Sequence, residues 1–468
     1  MEQGENLMEN IKKLRIPHSL LIIIGAMVLA CILTYLIPAG SYARIKVAGK
    51  TVVDPSTFHS FHYVSQHPVN PLTIFNFIYP GMVKASKIIF ALMCAGGGLG
   101  IVLDSQVLQG AAGSISQKVK GKEWVIVAGI MVMFAIICVP AGFNSWIPFS
   151  AVGLVIAKAL GFDAIVGVSM IMLGGAVGFS CGAMNLSNTG TAQTIAELPI
   201  FSGLAYRLFC MIPFLIVTIL YVVHYALKIK KDPTKSYVYG IDLGLEDLNL
   251  DHIPTFQKEN IPGLITIILC ILTMIYLGIQ GRLDLQTCGT MFIYMGIFTG
   301  IACRMDPNHM CKTFIKGAKG MAGTAMMIGF AYGITLIINK GLIIDTIVFN
   351  LAQILNYVPK AFQAPVMFYI HIIINFFITS GSGQAATTMP IMIPVADLVG
   401  ISRQTAVLAF NFGDGFCNFI LPHAAATMGF VGSANIPFDR WFRFAIRLFG
   451  IWVIVGTLLL MLAAQIGY

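Results

Sequence analysis

Ala141-Gly142-Phe143-Asn144-Ser145 interrupts an apolar stretch, and a second interruption of the same kind stands at Ser380-Gly381-Ser382-Gly383-Gln384-Ala385. Each is followed by a further break: Asn185-Leu186-Ser187-Asn188-Thr189-Gly190-Thr191 after the first, and Pro422-His423-Ala424-Ala425-Ala426-Thr427-Met428-Gly429 after the second. The glycines keep register. Gly142, Gly161, Gly174 and Gly190 match Gly381, Gly400, Gly413 and Gly429, each pair 239 positions apart (381 − 142), and Ala157 matches Ala396 at the same offset. A small polar run inside apolar sequence frees backbone groups that lipid cannot satisfy, so such runs line a cavity or pack within protein. Two matched pairs in two halves of one chain place a substrate and ion site near the middle of a membrane.

The composition fits that setting. Of 468 residues 57% are hydrophobic and 10% charged, and the mean hydropathy is +0.83; a soluble domain carries about 25% charged residues. The net charge of +9 comes from basic residues at the ends of apolar runs, where they orient a membrane protein, so it does not point to nucleic acid. The cysteines lie mostly inside apolar runs without CxxC spacing and read as small buried apolar residues, so neither a disulfide framework nor a zinc site is indicated. Walker A, GxSxG, HExxH and Rossmann signatures are absent from the sequence, which argues against an enzyme or an ATP-driven pump.

Runs of about 20 apolar residues predict nine crossings: 19–37, 81–103, 164–199 (broken), 204–227, 261–279, 286–303, 321–338, 405–436 (broken) and 442–466. The stretches 124–160 and 361–399 carry the polar tips and read as re-entrant hairpins. The expected class is therefore an all-α polytopic membrane protein of two inverted repeats, 1–229 and 261–468, joined by a cytoplasmic linker 230–260. Lys12, Lys13 and Arg15 before the first run place the N-terminus in the cytoplasm. Lys118, Lys120 and Lys122 put the mouth of the first hairpin there too, so the second opens outward. Residues 40–70 fall outside, with room for a small β-hairpin at 45–53. Segments 103–119 and 342–357 correspond as surface amphipathic helices.

The candidate site follows from these breaks. Gly142, Gly381 and Gly383 permit close approach at the tips. Phe143, Asn144, Ser145, Ser380, Ser382 and Gln384 flank them; Ser187, Asn188, Thr189, Thr191, Ala424 and Thr427 stand at the broken helices. Half-helix N-termini favour anions, and C-termini with freed carbonyls favour cations. Sodium would find neutral oxygens at Asn144, Asn188 and Ser382. Asp414, inside the second broken helix, is a carboxylate at membrane depth and so a functional candidate, able to meet a substrate amine or carry a coupling proton. Glu197 reads as an interfacial residue, and His371 and His423 as packing residues. No organic cofactor is expected.

Gly381-Ser382-Gly383-Gln384-Ala385-Ala386-Thr387-Thr388-Met389-Pro390, then Asp397-Leu398-Val399-Gly400 and Phe412-Gly413-Asp414-Gly415-Phe416, resemble the YfcC-like branch of the C4-dicarboxylate anaerobic carrier family, within the ion transporter superfamily. The resemblance runs over nearly the whole chain. It implies a bacterial inner-membrane carrier, elevator-type alternating access of a transport domain against a scaffold, and a homodimer. Related sodium–dicarboxylate carriers hold sodium and substrate carboxylate with Ser-Asn-Thr motifs at the hairpin tips; here the one Ser-Asn-Thr is Ser187–Thr189, in the broken helix. The YfcC-like branch is labelled as basic amino acid antiporters. The expected activity is secondary transport of a small metabolite, foremost an amino acid such as arginine or ornithine; a C4-dicarboxylate carrier and an uncoupled channel are the alternatives.

Overall fold

The computed structural model describes residues 19–47, 50–53, 61–118, 121–140, 142–243, 257–280 and 282–468. The basic cluster at 12–15 and most of the acidic part of the linker lie outside the described residues. The chain is helical, and among the described residues seven helices are long and apolar enough to cross a membrane. It is a multi-pass membrane protein.

In the first half the helices are α1 (Ser19–Leu36), α2 (Ile78–Lys84), α3 (Ser86–Asp104), α4 (Val107–Lys118), α5 (Glu123–Ile137), α6 (Ser150–Ala159), α7 (Ala164–Ser180), α8 (Thr191–Ile195) and α9 (Leu204–Lys231). The second half holds α10 (Ile261–Ile279), α11 (Leu285–Ala302), α12 (Pro307–Gly320), α13 (Ala322–Lys340), α14 (Ile344–Ile354), α15 (Lys360–Phe377), α16 (Gly381–Val399), α17 (Arg403–Cys417), α18 (Ala425–Ser433) and α19 (Phe438–Gln465). A strand pair at Arg44–Val47 and Lys50–Val53 forms the expected small hairpin.

The matched glycines perform matched tasks. Gly161 and Gly400 end α6 and α16 in the left-handed region, at φ +77° and +82°, where a side chain would be strained. Gly174 lets α7 close on α5: a Cβ there would lie 2.6 Å from the Met131 carbonyl oxygen. Gly413 does the same between α17 and α15, where a Cβ would lie 2.9 Å from the Phe368 carbonyl oxygen. In each half, then, a broken helix packs backbone-to-backbone on the first arm of its own interrupted pair.

Elsewhere small residues allow equally close packing. A Cβ on Gly296 of α11 would sit 2.6 Å from the Gly98 carbonyl oxygen of α3, and one on Gly96 would sit 2.9 Å from the Gly317 carbonyl oxygen of α12. In lipid such approaches take the place of a hydrophobic driving force.

The two interrupted pairs end at opposite ends of α9. At its C-terminal end Lys230 pairs with Glu123 at 2.6 Å and lies 5.6 Å from the Phe162 ring centre. Asp163 there accepts from Tyr225 and Ser236 at 2.5 and 2.6 Å. Both ends of the α5–α6 unit thus meet at one lysine. At the other end of α9, the Tyr468 hydroxyl donates to the Gly203 carbonyl at 2.9 Å. Close by, Arg403, just past α16, pairs with Asp397 and Glu197 at 2.9 and 2.7 Å. Helix α9 has 28 residues, about 42 Å of rise, so these two ends stand a membrane apart.

Candidate functional site

Both interruptions and the first broken helix open on one cavity of about 850 Å³. Gly142, Phe143, Asn144, Ser145, Asn188, Thr191, Ser380, Gly381 and Ser382 line it, joined by Asn185, Gly190, Asn418 and Phe419. Lys87, Asp284 and Gln286 also line it; the side chain and backbone of Thr287 hold the Asp284 carboxyl below the usual range, so that wall keeps a negative charge at neutral pH.

Four helical segments begin on this cavity: Phe143–Phe149 leading into α6, Leu186–Gly190 leading into α8, then α16 and α18. Their first residues Phe143, Leu186, Gly381 and Ala425 all line it. At Gly142, Ser380 and Ala424 no side chain caps the segment, which leaves backbone N–H groups turned toward the space. Converging N-termini make a ready site for an anion such as a carboxylate.

Several residues singled out in the sequence stand behind this wall. Asp414 is fully buried and does not line the cavity. Gly381 stands directly against it: a Cβ at 381 would lie 2.6 Å from Asp414 Oδ2 and 2.9 Å from Asn188 Cγ. The Asp414 carboxylate accepts from Asn188 Nδ2 at 2.7 Å and from Asn375 Nδ2 at 3.0 Å. The expected direct contact between Asp414 and a substrate amine is therefore absent from this conformation, because the tip backbone and two carboxamides enclose the acid. Gln384 is buried too; it accepts from Asn375 at 2.9 Å and donates to the His371 carbonyl at 3.0 Å. Thr189 accepts from Asn411 at 3.0 Å. Thr427 donates to the Asn418 carbonyl, Ala424 is buried, and Gly383 lies off the cavity with only Ser380 and Ile378 nearby. Ser187 belongs to the turn before α8. Of the three sodium candidates, Asn144, Asn188 and Ser382 share the cavity wall; among the described residues no group of three His, Cys, Asp or Glu gathers as a metal site. His423 Nε2 lies 2.7 Å from the Phe376 carbonyl oxygen, and Glu197 is exposed in its ion pair with Arg403.

Four residues of this network escaped the sequence reading. Asn375, Asn411 and Asn418 are single amides in apolar helices, and Arg207 is a single charge in α9. Arg207 is fully buried. Its Nη1 donates to Asn411 Oδ1 at 2.6 Å and to the carbonyls of Cys181 and Gly182 at 3.4 Å each, just past the end of α7. The signal for it was available: an arginine four residues into an apolar run is costly in a membrane and so functional by default. Adjacent residues of the first break, Asn188 and Thr189, thus bond to Asp414 and Asn411, one turn apart on α17.

A protein of Escherichia coli (strain K12) named "Putative basic amino acid antiporter YfcC" is 28% identical, covering 97% of each chain. An uncharacterised protein of Haemophilus influenzae is 24% identical over 97% of this chain and 98% of its own. Among solved structures, the Neisseria gonorrhoeae MtrF antimetabolite efflux pump aligns over 97% of this chain and 96% of its own, at 13% identity with a TM-score of 0.44. The Alcanivorax borkumensis YdaH transporter aligns over 97% and 99%, at 16% identity with a TM-score of 0.40. The profile of the C4-dicarboxylate anaerobic carriers matches residues 16–465, and the chain belongs to that family of membrane transporters.

Proposed function

We propose that the protein is a secondary active transporter that binds a small metabolite by its carboxylate in the cavity between the two tips. It works by elevator-type alternating access in a bacterial inner membrane, with nine crossings, two re-entrant hairpins and a cytoplasmic N-terminus. The observation that carries this reading is the convergence of four helical N-termini on one cavity. The hairpin reading draws on Lys230, which meets both ends of the α5–α6 unit. The 1–229 and 261–468 repeats draw on the matched glycines, and a homodimer follows the family resemblance.

Within the carboxylate class the substrate is an amino acid, exchanged for another, as the name of the Escherichia coli relative suggests for that protein. Its carboxylate would meet the N-termini. Its amino group would meet the neutral oxygens of Asn144, Ser145 and Ser382, with Asp284 on the same wall. A C4-dicarboxylate is the second reading, favoured by the number of N-termini and by Lys87 on the cavity wall. Counterflow in proteoliposomes decides. Vesicles loaded with unlabelled arginine or ornithine should accumulate labelled arginine transiently, with saturation; vesicles loaded with succinate should not. Accumulation driven by succinate alone would select the second reading, and non-saturating flux without counterflow would mean an uncoupled channel.

A further inference from the structure

The formal charge of the cavity stands on one wall. Among its described lining residues Lys87 and Asp284 alone are charged; the tips and broken helices present amides, hydroxyls, backbone and apolar groups. The two charges come from helices locked in register. A Cβ on Gly289 of α11 would lie 3.1 Å from the Ala91 Cα of α3, and one on Gly296 would lie 2.6 Å from the Gly98 carbonyl oxygen. Both contacts have the same offset (289 − 91 and 296 − 98), so the helices run parallel. Lys87 therefore stands level with Leu285, the residue after Asp284.

The first tip reaches this same wall. Cys288 Sγ donates to the Ser145 carbonyl at 2.7 Å, one turn along α11 from Asp284. Ile88, next to Lys87, shares a small crevice with Asn144 and Ser145. Four residues of helix place Asp284 about 6 Å along the axis from the tip contact. The side chain of arginine, about five bonds from Cα to the guanidinium carbon, spans the same length when extended.

Asp284 is anchored, yet its partner can be exchanged. Its Oδ1 accepts from the Thr287 main-chain N–H at 2.8 Å, which fixes the carboxylate as the cap of α11. A cap needs an oxygen and no charge, since Asn and Ser serve as well. Here the charge is kept: Thr287, and more weakly Lys87, hold the carboxyl below its usual range. Both Lys87 and Asp284 are exposed. A cation arriving from solution can therefore take the place of the Lys87 ammonium beside Asp284.

Resting on the amino-acid reading of this cavity, we propose that Asp284 selects the substrate's side chain by pairing with a cationic terminus, and that Lys87 tunes the selection as the competing cation. The helix N-termini at the tips hold the carboxylate end, and the α3–α11 wall reads the far end. A neutral side chain leaves Asp284 to Lys87 and gains no ion pair. An anionic one meets Asp284 as a like charge, the repulsive element that specificity needs.

Arginine and citrulline test this, because they share a shape and differ in a guanidinium against a neutral urea. Purified full-length protein in detergent is titrated with each. The half-saturating concentration is read from the thermal midpoint, which a ligand of the folded state raises. Arginine should bind about tenfold or more tighter than citrulline, the worth of a hydrogen bond to a charged group. Asp284→Asn keeps the cap, so its ligand-free midpoint should stay within about 2 °C of wild type. Its preference for arginine should fall to about twofold or less, and Asp284→Ser, a second neutral cap, should do the same. Lys87→Gln should raise the preference. No preference in the wild type, a preference that survives both Asp284 variants, or one that falls in Lys87→Gln would overturn the inference and leave the amino-acid reading standing. Saturable binding of succinate, with none of arginine, ornithine or citrulline, would strike the amino-acid reading itself and the inference with it.

Discussion

Replacing Gly381 by alanine is expected to cut transport by about a hundredfold or more while the protein still folds and inserts. The added Cβ would stand 2.6 Å from Asp414 Oδ2 and 2.9 Å from Asn188 Cγ. Neither neighbour can yield freely, because Asn188 and Asn375 hold the carboxylate from both sides and α17 is packed on α15 through Gly413. The tip must back away instead. A displacement of about 1 Å at a binding site is enough to lose about two orders of magnitude. Gly383→Ala is the matched control: its nearest neighbour would be Ser380 at 3.4 Å, an ordinary contact, so near-normal counterflow is expected. Equal rates for the two variants, or monodisperse Gly381→Ala protein with wild-type rates, would remove the tip from the site.

Arg207→Gln is expected to give the largest loss of stability. The wild-type guanidinium is fully buried, and its Nη1 answers Cys181 O, Gly182 O and Asn411 Oδ1. Glutamine is shorter and neutral, so it strands the Cys181 and Gly182 carbonyls and releases Asn411, which positions Thr189. Breaking a buried charged network by removing one partner costs about 3–5 kcal/mol. Arg207→Lys keeps a positive charge on a shorter side chain with a differently shaped head, and should fall between wild type and Arg207→Gln. Thermal midpoints in detergent measure both, and an Arg207→Gln midpoint equal to wild type would show that the network is not holding α7 to α17.

Much of the helical order could be read from apolar runs, because run length and bounding charges depend on local sequence alone. The interrupted helices were legible for a second reason: small residues are needed wherever backbones touch, and the touching repeats at a fixed offset. Gly161 and Gly400 share a left-handed turn, and Gly174 and Gly413 share a helix crossing. The polar partners were not legible in this way. Asn375, Asn411 and Asn418 matter only because α15 and α17 bring them to Asp414 and Thr189, and a lone amide in an apolar helix carries no spacing signal. Arg207 was visible as an intramembrane charge, but its role depends on the end of α7 lying beside it. The enclosure of Asp414 behind Gly381 is likewise a tertiary fact: the sequence places both near the middle of the membrane without saying which faces the cavity.

The central claim is that both tips form one substrate site, and paired thiol protection tests it most directly. Most native cysteines are buried, with Cys311 exposed and Cys94 and Cys303 half-buried, so replacing those three by serine gives a quiet background. Ser145→Cys and Ser382→Cys are then labelled separately with a small thiol reagent in proteoliposomes, with and without the amino acid that drives counterflow. Slower labelling of both positions, at the same half-effective substrate concentration, is the predicted result. Protection of one position only, or of neither while counterflow persists, would contradict a shared site.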